Sequence, residues 1–515
     1  MRPAASAASR RRRRVTPEAC LRHDACEGIN SMMPLPWILV FFPWAGAVLL
    51  ALLPPRYRLG RFINIGLNAV SLLIALALLG HPHGEQGWTR IDALNLPFIA
   101  VSAVVGLTTA AFSAATLDAE RFDSLRIRAY HTAFQVFMGA QFLALVSDNM
   151  GVMWVAIEIA TLASVLMVGT HGTPAAVEAA WKFFILCGVG IALALFGTTL
   201  LYLAAQPVVG HGDPGLSWAA LRAVAAQCDP GVLSLAFVFL LVGYGTKAGL
   251  VPLHSWLPDA EAEGPLPICA VLSGLLLNAA LLAILRAESI VAKHPATLTT
   301  GPFLIGFGLM SLLLAAFSLW RRRDARRLFA WSSIEHVGIA TIAFGIGGPI
   351  ANLAGILHLL GHALVKSAVF FAVGAAAQIK GSQKVADIGG LVSSHPALGW
   401  GLALGIAGLA GMPPFALFVS EFSLVAEGAA RLPWLVLPLG LGLLVATAAL
   451  VRVLHSLCLG EPTPDTPAAG SFTLPGGTLW ASVPVWLHLA LAALLGFAAP
   501  GAFTALLREG ARILA

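Results

Sequence analysis

The residues most able to do chemistry are ionisable side chains set inside apolar runs. Glu158 lies in GVMWVAIEIATLASVLMVG, Lys247 in GVLSLAFVFLLVGYGTKAG, Glu335 and His336 in WSSIEHVGIATIAFG, and Glu421 in GMPPFALFVSEFSL. A further run, ANLAGILHLLGHALVKSAVFFAVG, carries His358, His362 and Lys366. A charge at the centre of a membrane helix costs roughly 2.5–3.5 kcal/mol on insertion scales, so a residue kept there points to an ion or proton pathway. Residues at i, i+4 and i+8 drift by only about 40° per step, so His358, His362 and Lys366 form one helical stripe. Histidine titrates nearest neutrality and a desolvated lysine is pulled towards it, so such a stripe can pass protons through bridging water. Histidines at i, i+4 also suit zinc, but this run has no neighbouring carboxylate or thiolate. The structural alternative is histidines hydrogen-bonded to adjacent helices.

Glu158 and Lys247 have opposite signs. A buried pair of this kind titrates as a unit, the carboxylate holding the lysine charged; separated, the desolvated lysine releases its proton. The alternative is a static ion pair locking two helices. In GTKAGLVPLHSWLPDAEAEG, Pro252 breaks the helix five residues after Lys247, which is expected to admit water, and His254 follows at the break. The acidic DAEAEG, 259–264, reads as a solvated loop whose carboxylates can feed protons to His254. Lys182, in AAWKFFILCGVG, stands at the edge of an apolar run, where it either modulates Glu158 or snorkels to the interface. RRRDARR, 321–327, reads as a cytoplasmic anchor, and Asp387 in KVADIGGL as a turn residue.

The elements that must position these groups are membrane helices. Of 515 residues, 58% are hydrophobic and 11% charged, with mean hydropathy +0.84. A soluble domain carries about 25% charged residues. The class is an all-α polytopic membrane protein. Apolar stretches at 35–53, 61–80, 95–117, 130–147, 150–170, 180–204, 231–250, 266–286, 301–320, 327–347, 351–379, 397–428, 433–455 and 478–500 predict about fourteen spans. Loops after odd-numbered spans hold roughly twice the lysine and arginine of loops after even-numbered ones, which places both termini on the non-cytoplasmic side of a bacterial-type inner membrane. That distribution, rather than nucleic acid, accounts for the pI near 9.2.

Spans 7 and 12 break alike, at Pro252 and at Pro413-Pro414, each beside one ionisable residue, Lys247 or Glu421. Paired interrupted helices at matching positions predict inverted repeats. The expected units are N-terminal helices 1–3 over 32–129, a first five-helix repeat over 130–290, a second over 300–456, and a last helix within 478–515. Residues 1–31, with Arg10 to Arg14, read as a disordered extension or a mis-assigned start, with Met32 or Met33 a natural beginning; a mitochondrial-type presequence is the other reading. The six cysteines are scattered without a CxxC pair and offer no disulfide framework, iron–sulfur cluster or zinc cluster.

GTKAGLVPLHSWLPDA, SSIEHVGI, HLLGHALVKSAVFFAVG, DIGGL and GMPPFALFVSEF, in this order over about 95–455, resemble the antiporter-like membrane subunits of respiratory complex I and their relatives. YGTKAGLVPLHSWLPDAEAE and SGLLLNAALLAILR most resemble component F of hydrogenase-4, from the group of membrane-bound nickel–iron hydrogenases and formate hydrogenlyases. The chain ends soon after span 14, without the long lateral helix of one complex I relative. The resemblance implies a proton path with a glutamate in span 5, lysine in span 7, a group in span 8, histidines and lysine in span 11, and lysine or glutamate in span 12. These fall on Glu158, Lys247, His358, His362, Lys366 and Glu421. Span 8 departs from the pattern: several relatives carry lysine or histidine where this chain offers Asn278, which orients water but carries no proton.

The resemblance further implies an ion (proton) translocating subunit of a multisubunit oxidoreductase, with other membrane subunits and soluble redox subunits as partners. It implies no cofactor in this chain, nickel–iron and iron–sulfur centres belonging to the partners, and no nucleic acid. The alternatives are a subunit of a multisubunit Na⁺/H⁺ antiporter, a membrane component of an inorganic-carbon uptake complex, and a scaffold without transport.

Overall fold

A computed structural model describes residues 35–54, 57–80, 83–117, 120, 122–465 and 478–514. The arginine-rich extension and its start-site reading lie outside them. The first helices are α1 (Leu35–Leu52), α2 (Tyr57–Leu79), α3 (Leu96–Thr116), α4 (Ser124–Val146), α5 (Met150–Val168), α6 (Pro174–Val209) and α7 (Trp218–Val224). A short hairpin of β1 (Gly84–Gln86) and β2 (Thr89–Ile91) lies between α2 and α3. There follow α8 (Pro230–Ala248), α9 (Leu257–Glu263), α10 (Leu266–Val271), a π-turn over Leu272–Leu276, and α11 (Leu277–Val291). Next come α12 (Thr300–Leu319), α13 (Ala325–Ile346), α14 (Gly348–Lys380), α15 (Leu391–Ser394) and α16 (Pro396–Leu409). The last are α17 (Ala416–Arg431), α18 (Val436–Leu454), α19 (Thr478–Phe497) and α20 (Gly501–Ile513).

Helix starts follow local chemistry. Asn149, Asp229 and Asp324 each accept hydrogen bonds from the first free amides of α5, α8 and α13, satisfying donors that a helix leaves unpaired. Every predicted apolar stretch contains helix. Among the described residues eleven helices are long and apolar enough to cross a membrane, or up to twelve if the pair α19 and α20, bent by 74°, counts as one span. The expected fourteen exceeds that number for a physical reason. α4 is long but carries Arg126, Arg128, His131, Gln135 and Gln141. The predicted twelfth span is two short helices, α16 and α17, parted by Gly411 at φ 66° and Pro413-Pro414.

The loops sort to two ends. At one, Arg90 Nε meets Asp148 Oδ1 at 2.6 Å, Asp148 N donates to Trp88 O at 2.8 Å, and Trp218 N donates to Asp148 O at 2.8 Å. There Arg222 also donates to Ile513 O at 2.6 Å. These residues follow predicted spans 2, 4, 6 and 14. At the other end His171 Nε2 meets Glu120 Oε2 at 2.9 Å, Asp259 pairs with Lys182 and Arg327, and Lys380 pairs with Asp465 at 2.7 Å. Two arginines counted as loop charges are buried instead. Arg286 lies inside α11 and donates to Ser147 O, with Asp92 3.9 Å away. Arg326, expected as part of a solvated anchor, is buried and donates to Gly264 O.

The central column is α14, 33 residues long and buried without a break from Ala354 to Ala377. It packs against α13, α16, α17, α19, α10 and α3. That position makes its polar stripe the axis of the molecule.

A buried row of ionisable groups

Lys247 is in the last turn of α8, which ends at Gly249 in a left-handed conformation with φ 74°. A lysine there faces the negative end of the helix dipole. Its side chain is 0% exposed, and Nζ lies 3.4 Å from Glu158 Oε2 on α5, whose side chain is 22% exposed. The ammonium also donates to Thr161 Oγ1, one turn along α5. The segment after the break is held: Trp256 Nε1 donates to Thr246 O at 2.8 Å, and Val251 N to Ser311 Oγ on α12 at 3.0 Å. Lys182, expected either to modulate Glu158 or to snorkel, stands away from the pair. Lys182 meets Glu178 at 2.6 Å and Asp259 at 3.1 Å, not Glu158, because its place near the start of α6 sends the long stem outward. His254 packs edge-on against Trp331 at 5.1 Å, and its Nδ1 has no hydrogen-bond partner among the described residues.

The stripe of α14 meets α13. His336 Nδ1 and His358 Nε2 are 3.1 Å apart, and His358 Nδ1 is 2.9 Å from Ser420 Oγ on α17. The Ser420 hydroxyl donates to Leu417 O at 2.8 Å, so its oxygen accepts from His358 Nδ1–H. A neutral His358 then accepts at Nε2 from His336 Nδ1–H. That leaves the Nε2 lone pair of buried His336 without a partner among the described residues. The ring of His362 is 5.2 Å from that of His336, and neither of its nitrogens has a partner there. Lys366 Nζ donates to Phe329 O at 3.0 Å, and Glu335, one residue before His336, is buried with Oε2 unpartnered among the described residues.

Asn278 Nδ2 donates to Gly274 O at 2.9 Å, across the π-turn, and lies 3.4 Å from Leu359 O on α14. Glu421, on α17, is half-buried, its carboxylate seated against Gly411 in the broken twelfth span. Donor atoms of His336, His358 and Glu421 lie within 4.8 Å of one another. Among the described residues these are the groups close enough to hold a metal ion, rather than the i, i+4 pair. Three of the four ring nitrogens of His336 and His358 are already engaged in the hydrogen-bonded chain, so the geometry suits proton transfer better than coordination.

The structure adds three groups. Glu261, in the stretch read as a solvated loop, is 0% exposed, with both carboxylate oxygens unpartnered among the described residues. His131 on α4 is buried with neither ring nitrogen bonded there. His488 on α19 bonds Thr108 at 2.8 Å and Leu364 O at 3.2 Å. The polar character of α4 pointed to His131; nothing local distinguished His488.

A membrane protein with broken helices and ionisable groups along its centre is the class these features define. The family model described as NADH:quinone oxidoreductase/Mrp antiporter, transmembrane, matches residues 147–447, and the chain belongs to that family. It is 47% identical over 440 residues to the hydrogenase-4 component F homolog of Methylacidiphilum infernorum, covering 85% of this chain and 92% of that protein. Identity to a Na⁺/H⁺ antiporter subunit of Alkalihalophilus pseudofirmus is 25% over 502 residues, 94% of this chain and 98% of that one. A chain of the archaeal membrane-bound sulfane sulfur reductase, a respiratory membrane complex, shares the fold with TM-score 0.82 and 22% identity, covering 93% of this chain and 97% of its own.

Proposed function

We propose that this chain is the proton-translocating membrane subunit of a multisubunit oxidoreductase of the hydrogenase-4, formate hydrogenlyase and complex I type. The observation that carries the reading is the buried row Glu158–Lys247, His358–His336–His362, Lys366 and Glu421, polar groups kept in an apolar interior where each is costly. In this scheme Lys247 holds a proton while paired with Glu158 and Thr161, and releases it when the pair parts. In the second half, the free Nε2 of His336 takes up a proton. His336 then gives Nδ1–H to His358, and the chain of bonds re-forms after a turn of the rings. Glu421 is the exit group at the broken helix. His254, at the first break, is the solvent-side group nearest Lys247 in sequence.

Fourteen spans in two inverted repeats, in an inner membrane with both termini on the non-cytoplasmic side, complete the reading. Redox work comes from soluble partner subunits that hold nickel–iron and iron–sulfur centres, this chain contributing none. The test uses inverted membrane vesicles that carry the whole complex and follows proton uptake during electron transfer. Lys247→Ala is expected to abolish uptake while the complex still assembles; uptake at the parental rate would remove the proposal. A cation-exchange function, with no redox partner, is the second reading, favoured by the end-to-end similarity to an antiporter subunit. A sodium-dependent ΔpH collapse that persists without electron donor would establish it instead.

A further inference from the structure

Glu261 belongs to a segment that looks polar throughout, yet it behaves unlike its neighbours. Residues two apart on a helix project about 200° from one another. Asp259 and Glu263 therefore turn outward, to Lys182 and to Arg327, and Glu261 turns inward. Its carboxylate faces Lys366 of α14 and Arg326 of α13, with the hydroxyls of Ser273 and Ser333 beside it. Those hydroxyls are 2.7 Å from each other and join the π-turn to α13. The backbone around Glu261 is fixed, since Cys269 Sγ donates to its carbonyl oxygen at 2.9 Å and Arg326 donates to the same sulfur at 3.0 Å. A buried carboxylate whose neighbouring hydroxyls stand beside it without closing a hydrogen bond among the described residues is expensive to keep.

Its place also matters. α9 starts where Trp256 binds the carbonyl of Thr246, the residue before Lys247. Glu261 is five residues further along, about 7.5 Å of helix rise. On its other side lies Lys366. Asn278, the span-8 residue at the same seam, has no proton to give at neutral pH. A cavity of about 370 Å³ opens at the end of α9, lined by Ala262, Glu263, Arg326, Glu120, His171 and Gln378 among others.

We propose that Glu261 is the proton carrier joining the two halves of the path, filling the role that Asn278 leaves vacant. The inference rests on the proton-translocating reading above. In the step, the Lys247 ammonium, parted from Glu158, gives one proton through water to the Glu261 carboxylate. A neutral amine and a carboxylic acid result, and the acid passes the proton on to the neutral form of Lys366; the reverse order runs the path backwards.

The experiment measures proton uptake and electron transfer side by side in inverted vesicles that carry the whole complex. Glu261→Gln keeps the shape and removes the proton site; it is expected to lower uptake about a hundredfold, the scale of a lost acid–base group. Adding Asn278→Lys to that variant should restore a substantial share, which a merely structural glutamate would not predict. Parental uptake in E261Q, with uptake lost in Lys247→Ala, would overturn the carrier role and leave the proposed function standing. Parental uptake in both variants would take down both. If E261Q does not assemble, Glu261→His carries the test, because imidazole also carries a proton: retained uptake supports the relay, and lost uptake in an assembled complex refutes it.

Discussion

Lys247 shows how much one buried charge depends on its neighbours. Its ammonium has a half-buried carboxylate at 3.4 Å and a threonine hydroxyl within bonding reach. Removing one partner of a buried pair leaves the other uncompensated. Glu158→Gln should therefore lower coupled proton uptake about a hundredfold or more, the range for a lost acid–base group. Thr161→Val should cost less, about tenfold, because the carboxylate remains and a hydrogen bond to a charged group contributes about 1.5 kcal/mol at the low end of its range. A larger effect of Thr161→Val would mean that the hydroxyl, not the carboxylate, holds the lysine. The histidine cluster makes a different claim. With His336 and His358 bonded to each other and His358 to Ser420, the ring nitrogens have work other than ligation. Treatment with a strong chelator should leave proton uptake unchanged, and elemental analysis of the purified complex should find no metal that His336→Gln removes. Loss of activity on chelation, restored by zinc alone, would mean that His336, His358 and Glu421 coordinate an ion.

At the scale of elements, the two breaks resemble each other: a left-handed glycine stands three residues before a proline, Gly249 before Pro252 and Gly411 before Pro414. A side chain at Gly411 would meet two obstacles, the left-handed backbone and the Glu421 carboxylate already pressed against that position. Gly411→Ala should cost about 1–2 kcal/mol from the backbone alone, visible as a lowered Tm, and should reduce uptake by moving Glu421. Gly440→Ala is the control. That glycine is in α18 with nothing near its missing Cβ, so the change should be neutral or slightly stabilising, as alanine is the better helix former by roughly 0.5–1 kcal/mol. The breaks were legible in the sequence because glycine and proline act locally. So was the polar stripe of α14, because helical periodicity fixes which residues share a face. Periodicity does not say which helix that face meets. The bond from His336 to His358 was therefore beyond it, although both residues stood out, and so was the seat of Lys182 on Asp259. Glu261 was misread for a related reason: three carboxylates in six residues look solvated, and only the 200° alternation within α9 separates the buried one from its neighbours.

The whole molecule adds information that no segment holds. Loops that follow alternate spans come together at opposite ends: Arg90, Asp148, Trp218 and Ile513 at one, Glu120, His171, Asp259 and Asp465 at the other. This alternation is what the span order demands of a bundle in which each helix crosses once, and it survives the reassignment of Arg286 and Arg326 from loops to the interior. With those two removed, the remaining loop cations still favour the end that holds Arg126, Arg321, Arg323, Arg327 and Lys384, and lysine and arginine concentrate on the cytoplasmic side of a bilayer. Orientation can be read directly with single cysteines at exposed loop positions, His211 at the first end and Glu461 at the second. Replacing Cys228, which stands in the same loop as His211, together with the N-terminal Cys20 and Cys26, by serine keeps the background clear. In intact spheroplasts a membrane-impermeant maleimide should label His211→Cys at once, and Glu461→Cys only after the membrane is opened. The reverse pattern would invert the molecule. Glu421 would remain at the broken helix, but the driving direction assigned to the path from Lys247 would then run the other way.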